Sequence, residues 1–357
     1  MKQLICLSYA PWSARPNRTE QLLTRLEDVQ ILFFEPPEPR GTPAREALRV
    51  RPNILVYTLP APLWGAGSAL LQQRRHRRIE AMIRRTAQQH HFRAPAAWYT
   101  SPEYSFLLER LGECCVIYDC HREWDRLPLD WESDLALAAD VVFAASPILR
   151  QRLAPCSDNI ALLPNGVNPR MFSRAGLTVP ESVAALPAPV LCRVGDLPAD
   201  MELEPLLYAA RRRPEWSFLL IGRCAARARA ALSGYPNIHL AGAVPAVELP
   251  DYLSGCQALF ELLRTSSRGS DIIPARLYEY LATGKPIVSM IEPEQVEPFP
   301  DMVYTAYDAA GFVRRCQAAL EEHPGPIQAR RLAFAAQSSW SQRASEVSRI
   351  LSAAGLL

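Results

Sequence analysis

The sequence predicts an α/β protein made of two doubly wound, Rossmann-like units in tandem. Three observations carry this. The strand-like runs are nearly continuously apolar rather than alternating, as expected of parallel strands covered on both faces. Helix-like segments separate them along the chain. The alternation breaks once, over residues 164–188, and then restarts, and 357 residues accommodate two ordinary domains.

In the first half, the runs at 3–8 (QLICLS), 29–35 (VQILFFE), 53–59 (NILVYTL), 96–100, 115–120 (CVIYDC), 140–146 (DVVFAAS) and 160–164 read as strands. Helical segments are expected between them at 18–28, 68–90, 104–112, 131–139 and 147–153. The break, PNGVNPRMFSRAGLTVPESVAALPA, is punctuated by Pro and Gly and has little periodicity, which marks a linker. Strands resume at 189–195 (PVLCRVG), 217–222 (SFLLIG), 237–242 (NIHLAG), 257–263 (QALFELL) and 286–291 (PIVSMI). The Ala- and Arg-rich tail from 326 to 355 reads as one or two helices. The expected division is a first domain over 1–170, a linker over 171–188, a second domain over 189–335, and a terminal helix over 336–357.

Composition excludes several classes of function. Hydrophobic residues make up 49% and charged residues 21%, the balance of a globular chain with real cores. No apolar stretch is long enough for a bilayer-spanning helix. The opening MKQLICLSYAPW lacks a small-residue cleavage site and reads as a first strand rather than a signal peptide. A net charge of +2 makes no case for nucleic acid. Lys2 and Lys285 are the only lysines among the 39 basic residues, so an arginine bias of the whole chain stands behind every Arg cluster. The nine cysteines show neither C-x-x-C spacing nor zinc-like histidine partners, and free thiols in a reducing cytosol are expected. The basic segment QQRRHRRIEAMIRR, 72–85, has two readings: a solvated helix face, or a cationic face held against anionic lipid headgroups.

The most informative segment is SDIIPARLYEYLATGKPIVS, 270–289. Pro274 suits the start of a helix, whose unpaired N–H groups and positive dipole end make a seat for a diphosphate. Arg276 in the first turn can add a charge-assisted bond to a phosphate oxygen. Glu279, one turn on, can accept hydrogen bonds from two vicinal ribose hydroxyls, and Gly284 ends the helix. The segment closely resembles the donor-site signature of GT-B glycosyltransferases of the family-4 type. It is most similar to a subgroup with the pattern P-x-K-x-Y-E-Y-L-A-x-G-K-P-V-V, which includes teichuronic-acid and other surface-polysaccharide enzymes. The matching residues are Pro274, Arg276, Tyr278-Glu279-Tyr280-Leu281-Ala282 and Gly284-Lys285-Pro286. The family's E-x7-E pair falls on Asp271 and Glu279, although Asp271 can equally serve as a helix N-cap.

Further stretches resemble the same family: 237–260, with Gly242 and Val244 where the family holds the base edge; 214–222, with Gly222 and Arg223 at a strand's carboxyl end; 140–153; 162–172; and SSWSQRASEV, 338–347. The matches cover most of 110–350, and the earlier PWSARPNRTEQLL, with Trp12 and Arg18, is similar only loosely. The resemblance implies a GT-B fold, two Rossmann-like domains facing a central cleft. It also implies transfer of a sugar from a UDP- or GDP-linked donor to a lipid-linked or saccharide acceptor, with Leu277 among the donor contacts. It implies no cofactor and no metal, and residence in the cytoplasm or peripherally on the inner face of the cell membrane.

Two departures from the pattern bear on chemistry. Where family-4 proteins read roughly V-G-R and then a Lys, this chain reads CRVGDLPADMELEPLL, with Asp196 near the expected arginine. The diphosphate then needs other cations, and Arg264, Arg268 and Arg276 are the candidates. In VIYDCHREWDRLP, 116–128, the subgroup's Y-D-x-x-D-D-W is altered. Asp119, His121 and Glu123 are the candidates for a general base, required if transfer inverts the anomeric centre; if it retains it, the leaving phosphate can take the proton. Glu132 either orients this loop or starts the following helix. The altered loop and the missing basic pair also admit a non-catalytic nucleotide-sugar-binding or scaffold relative. A GT-B epimerase is weaker, and a Rossmann dehydrogenase weaker still, because no G-x-G-x-x-G follows the first strand.

Overall fold

The computed structural model describes residues 2–13, 16–37, 47–61, 69–124, 127–262, 274–290 and 299–356. The described residues divide into two units: the first runs to Pro164 and takes in the chain again from Trp340, and the second lies between.

Unit 1 contains β1 (Lys2–Leu7), α1 (Arg18–Leu23), β2 (Val29–Glu35), β3 (Leu48–Arg51), β4 (Ile54–Thr58), α2 (Ala69–Gln89), β5 (Ala96–Tyr99), β6 (Cys115–Cys120), α3 (Leu129–Ala138), β7 (Val141–Ala144), α4 (Pro147–Leu153) and β8 (Ile160–Leu162). Its eight strands order as β3-β4-β2-β1-β5-β6-β7-β8. All neighbours are parallel except β3 and β4. Successive side chains of a strand point to opposite faces. Accordingly Ile5, Leu7, Leu32 and Phe34 join one core with Ile79 and Ile83 of α2. Leu4, Cys6, Ile31 and Phe33 join a second core on the other face, with Leu22 and Leu23 of α1.

Unit 2 begins with the short helices α5 (Pro169–Phe172) and α6 (Glu181–Ala184). It continues through β9 (Val190–Val194), α7 (Glu204–Arg212), β10 (Ser217–Ile221), α8 (Ala226–Leu232), β11 (Ile238–Gly242), α9 (Leu249–Ser254) and β12 (Ala258–Glu261). The remainder is α10 (Ala275–Thr283), β13 (Ile287–Ser289), β14 (Tyr304–Thr305), α11 (Ala309–Leu320) and α12 (Pro326–Gln337). Its sheet is wholly parallel, in the order β11-β10-β9-β12-β13-β14. Gly284 closes α10 in the left-handed conformation, φ +71°, which a residue with a Cβ adopts only under strain. Arg331 of α12 is buried and bonds Glu322 and the Met302 carbonyl, and α12 packs along α10.

One expectation needs correction. Residues 104–112 do not form an α-helix: Ser101 caps a 3-10 turn over Pro102–Leu107, after which Glu109 and Gly112 turn the chain with positive φ. Strands β3 and β14 were not foreseen. Pro274 stands at the N-cap of α10, the helix start expected for it.

The last helix, α13 (Trp340–Ala353), belongs to unit 1. Trp340, Val347 and Leu351 are buried in the same core as Leu22, Leu23 and Leu163. A layer of unit 1 is therefore completed by residues from the far end of the sequence. Trp340→Ala should lower the stability of unit 1 by about 3–5 kcal/mol, measured by urea denaturation; a loss under about 1 kcal/mol would contradict this packing.

Candidate functional site

In unit 2 the carboxyl ends of three adjacent parallel strands are marked by glycines: Gly195 after β9, Gly222 after β10 and Gly242 at the end of β11, all with positive φ. Gly222 N–H donates to the Gly242 carbonyl at 2.7 Å, and Gly195 N–H to the Ile221 carbonyl at 2.7 Å. A Cβ on Gly222 would fall 2.4 Å from the Gly195 carbonyl oxygen, so the backbones meet closely only because no side chain intervenes. Ligands of open α/β sheets gather at such strand ends.

Beside this rim lies a charged cluster that the sequence reading missed. Glu261 ends β12, and its side chain is only 1% exposed, as is that of Arg193 in β9. Arg193 Nε and Nη2 each lie 3.0 Å from Glu261 Oε1, and Arg193 Nη1 donates to the Gly195 carbonyl at 2.9 Å. Glu261 Oε2 is 2.5 Å from Nε of Arg276, on the first turn of α10, whose side chain remains 30% exposed. A signal existed: an Arg inside the apolar run PVLCRVG and a Glu inside QALFELL are ionised groups that burial penalises unless they are paired.

Helix α10 is fastened from below. The Tyr280 hydroxyl accepts from Val194 N–H at 2.7 Å and lies 3.4 Å from the Phe260 carbonyl. Burial first, then the Glu261 carboxylate, push the Tyr280 phenol well up, so it stays protonated and neutral. Tyr278 packs on Phe299 with ring centroids 5.4 Å apart. With both tyrosines buried, Glu279 between them is half-buried.

The other residues expected to contact a donor fall into different places. Arg223 is 81% exposed and clamped by Asp196, with Nε–Oδ2 2.9 Å and Nη2–Oδ2 2.6 Å. Asp196, standing near the expected arginine, thus ties the end of β9 to the end of β10. Val244 has a buried side chain, which leaves only its backbone for contact. Leu277 is fully buried and its N–H is taken by the Pro274 carbonyl at 3.0 Å, so it forms the inside of the helix start and offers no exposed contact. Arg264, Arg268 and Asp271 lie outside the described residues.

In unit 1, the loops after β1 and β6 come together. Asp119 is 0% exposed and held by Arg18, with Nε at 3.0 and 3.2 Å and Nη2 at 2.9 Å, while Arg18 Nη2 also donates to the Leu163 carbonyl at 2.8 Å. This bears against Asp119 as a candidate base: its carboxylate is fully buried and serves as the counter-charge of Arg18. His121 and Glu123 remain on the following loop. His121 is buried, with Nδ1 3.1 Å from the Asp119 carbonyl and its ring 4.5 Å from that of Tyr9. Trp124 and Arg122 complete an aromatic and cationic group, the Arg122 guanidinium standing 5.2 Å from the Trp124 ring and 5.7 Å from Tyr9. Glu132 supports this loop from α3, accepting from Tyr118 at 2.7 Å and from Arg152 at 2.5 and 3.0 Å.

The loop after β1 is held by two further buried acids. Glu35 accepts from Trp12 N–H at 2.8 Å and from the Thr58 hydroxyl at 2.6 Å. Glu20 accepts from Ser13 N–H at 3.1 Å and closes a capping box with Asn17. Burial pushes the Glu20 carboxyl up to about 7; the Ser13 and Asn17 N–H groups oppose the shift and Glu35 adds to it.

Comparison with known proteins follows this geometry. Residues 201–349 match the family described as Glycosyl transferase-like. TuaH of Bacillus subtilis, assigned as a glycosyltransferase of teichuronic acid biosynthesis, is 23% identical over 253 residues, covering 63% of this chain and 64% of that protein. The chain therefore matches just under two thirds of the length of its curated relative. Among solved structures, sucrose-phosphate synthase from Thermosynechococcus elongatus aligns with a TM-score of 0.74 at 15% identity, covering 99% of this chain and 98% of that one. A UDP-forming α,α-trehalose-phosphate synthase from Burkholderia xenovorans gives 0.75 at 14% identity over 99% and 100%. Anabaena HepE, solved with UDP-glucose, gives 0.68 at 14% identity over 99% and 100%.

Removing one partner of a buried ion pair strands the other charge, so Asp119→Ala should destabilise unit 1 by about 3–5 kcal/mol; urea denaturation showing less than about 1 kcal/mol would refute the internal role. Glu20 gives a pH prediction with a definite sign. Its folded-state pKa lies above its ordinary 4.5, so the folded protein holds the proton longer, and stability falls as pH rises from about 4.5 to about 7. Glu20→Gln should flatten that part of the stability profile, and an unchanged slope would contradict the assignment.

Proposed function

We propose, from a GT-B fold in which residues 201–349 match a glycosyl transferase-like family, that this chain transfers a glycosyl unit from a nucleoside-diphosphate sugar to a saccharide or lipid-linked acceptor of surface-polysaccharide synthesis. The observation that carries the reading is the first turn of α10. The Arg276 guanidinium stands at the strand end beside Gly195, so a diphosphate docked there would meet a guanidinium carried on the positive end of a helix dipole. Glu279, one turn further, is our candidate for holding the ribose hydroxyls. Transfer then draws on electrostatic stabilisation of the departing nucleoside diphosphate.

Uridine diphosphate is the favoured carrier, with guanosine diphosphate the other candidate. UDP and UDP-glucose occupy the HepE structures, and the Burkholderia enzyme is UDP-forming. The likeness to TuaH supports a polysaccharide acceptor. The exposed Arg74, Arg77, Arg78, Arg84 and Arg85 of α2 support contact with anionic lipid headgroups on the inner face of the cell membrane. Among the described residues, no helix is long and apolar enough to cross a membrane. A second reading, nucleotide-sugar binding without transfer, draws on the withdrawal of Asp119 into the core, which leaves His121 and Glu123 as base candidates. Slow hydrolysis of a donor sugar is expected of a transferase and not of a binder.

A thermal-shift screen against nucleotide sugars tests the reading, since specific ligands raise the melting temperature by mass action. A UDP- or GDP-linked sugar should stabilise the protein. Glu279→Ala should weaken that ligand by about tenfold or more, the effect of losing hydrogen bonds to a charged group. A flat response to every nucleoside diphosphate sugar would sink the proposal, and unchanged affinity in the variant would sink the ribose assignment.

A further inference from the structure

The arrangement around Glu261 carries an inference that rests on this donor-site reading and extends it. Glu261 lies between two guanidiniums of different standing. Arg193 is sealed inside unit 2, where its Nη1 donates to the carbonyls of Gly195 at 2.9 Å and Asp196 at 3.3 Å. Arg276 reaches the same carboxylate from α10, yet its side chain stays partly exposed. With Arg276 alone, Glu261 would make a neutral pair offering little to an anion. With Arg193 as the internal counter-charge, the three groups together keep one positive charge, and its outer face belongs to Arg276.

Gly195 supplies the space. A Cβ at that position would fall 2.2 Å from Arg276 Nη1 and 3.2 Å from its Cζ, so the guanidinium lies where any other residue would put a side chain. The Asp196 carboxylate next door is held by Arg223.

We propose that Glu261 is a positioning residue: it fixes Arg276 across the glycine gap at Gly195 so that the guanidinium meets the diphosphate. By this device α10 supplies the cation absent from the loop after β9, where Asp196 stands. Holding the arginine at Nε removes side-chain freedom before the ligand arrives, which lessens the ordering that binding must impose.

A double-mutant cycle on the intact chain separates this role from a merely structural one. Affinities for UDP and GDP, and for uridine and guanosine, are measured by calorimetric titration in wild type, Arg276→Ala, Glu261→Gln and the double variant. Each single variant should bind the diphosphate about tenfold or more weakly and the nucleoside unchanged. The double variant should bind no more than about twofold more weakly than Arg276→Ala alone. Glu261→Asp keeps a charge beside Arg193 while drawing back from Arg276, and should show the same loss with an unchanged melting temperature if Glu261→Gln does not fold. Additive losses, or equal losses for diphosphate and nucleoside, overturn the positioning role while leaving the donor site intact. Failure of the wild type to bind either diphosphate overturns the donor-site reading and this inference with it.

Discussion

A carboxylate buried between two arginines organises the strand ends of unit 2 beside Gly195. Burying Glu261 without partners would carry a large desolvation penalty, and pairing it with Arg193 alone would give an inert internal bridge. The second arginine, Arg276, changes the outcome because it comes from the first turn of α10 and reaches past Gly195. Several local features serve this placement: the glycine after β9, the tyrosine hydroxyl that pins α10 beneath β9, and the left-handed Gly284 that ends the helix before Lys285 bonds the carbonyls of Ser254 and Cys256.

Unit 1 uses buried acids in a different way. Asp119, Glu20, Glu35 and Glu132 each face backbone N–H groups, hydroxyls or arginines, and together they tie the loops after β1 and β6 to the sheet. Such acids define loop geometry and are poorly suited to exchange protons with a substrate. Beside them the partly buried Tyr9, Arg122 and Trp124 pack about the buried ring of His121.

The sequence disclosed the regular part of the fold because buried parallel strands are written as unbroken apolar runs. It did not disclose β3, an exposed edge strand reading Leu-Arg-Val-Arg, or the two-residue β14, since neither carries such a run. In the site, Arg276 and Glu279 were legible from a contiguous motif on one helix. The Arg193–Glu261 pair joins residues 68 positions apart, and Arg18–Asp119 joins residues 101 apart. No local pattern reports such pairings. Asp119 therefore looked like a candidate base, and Glu261 looked like the end of a strand. A charged residue inside an apolar run was the one available hint, and it signals that a partner exists without saying which.

The account depends on a nucleoside diphosphate docking at the first turn of α10. Hydrogen–deuterium exchange of the full chain, with and without saturating UDP or GDP, tests this most directly. Slowed exchange should appear at residues 275–279 and in the segment after β9 that begins at Gly195. Protection confined to unit 1, with these amides unaffected by a ligand that does bind, would contradict it.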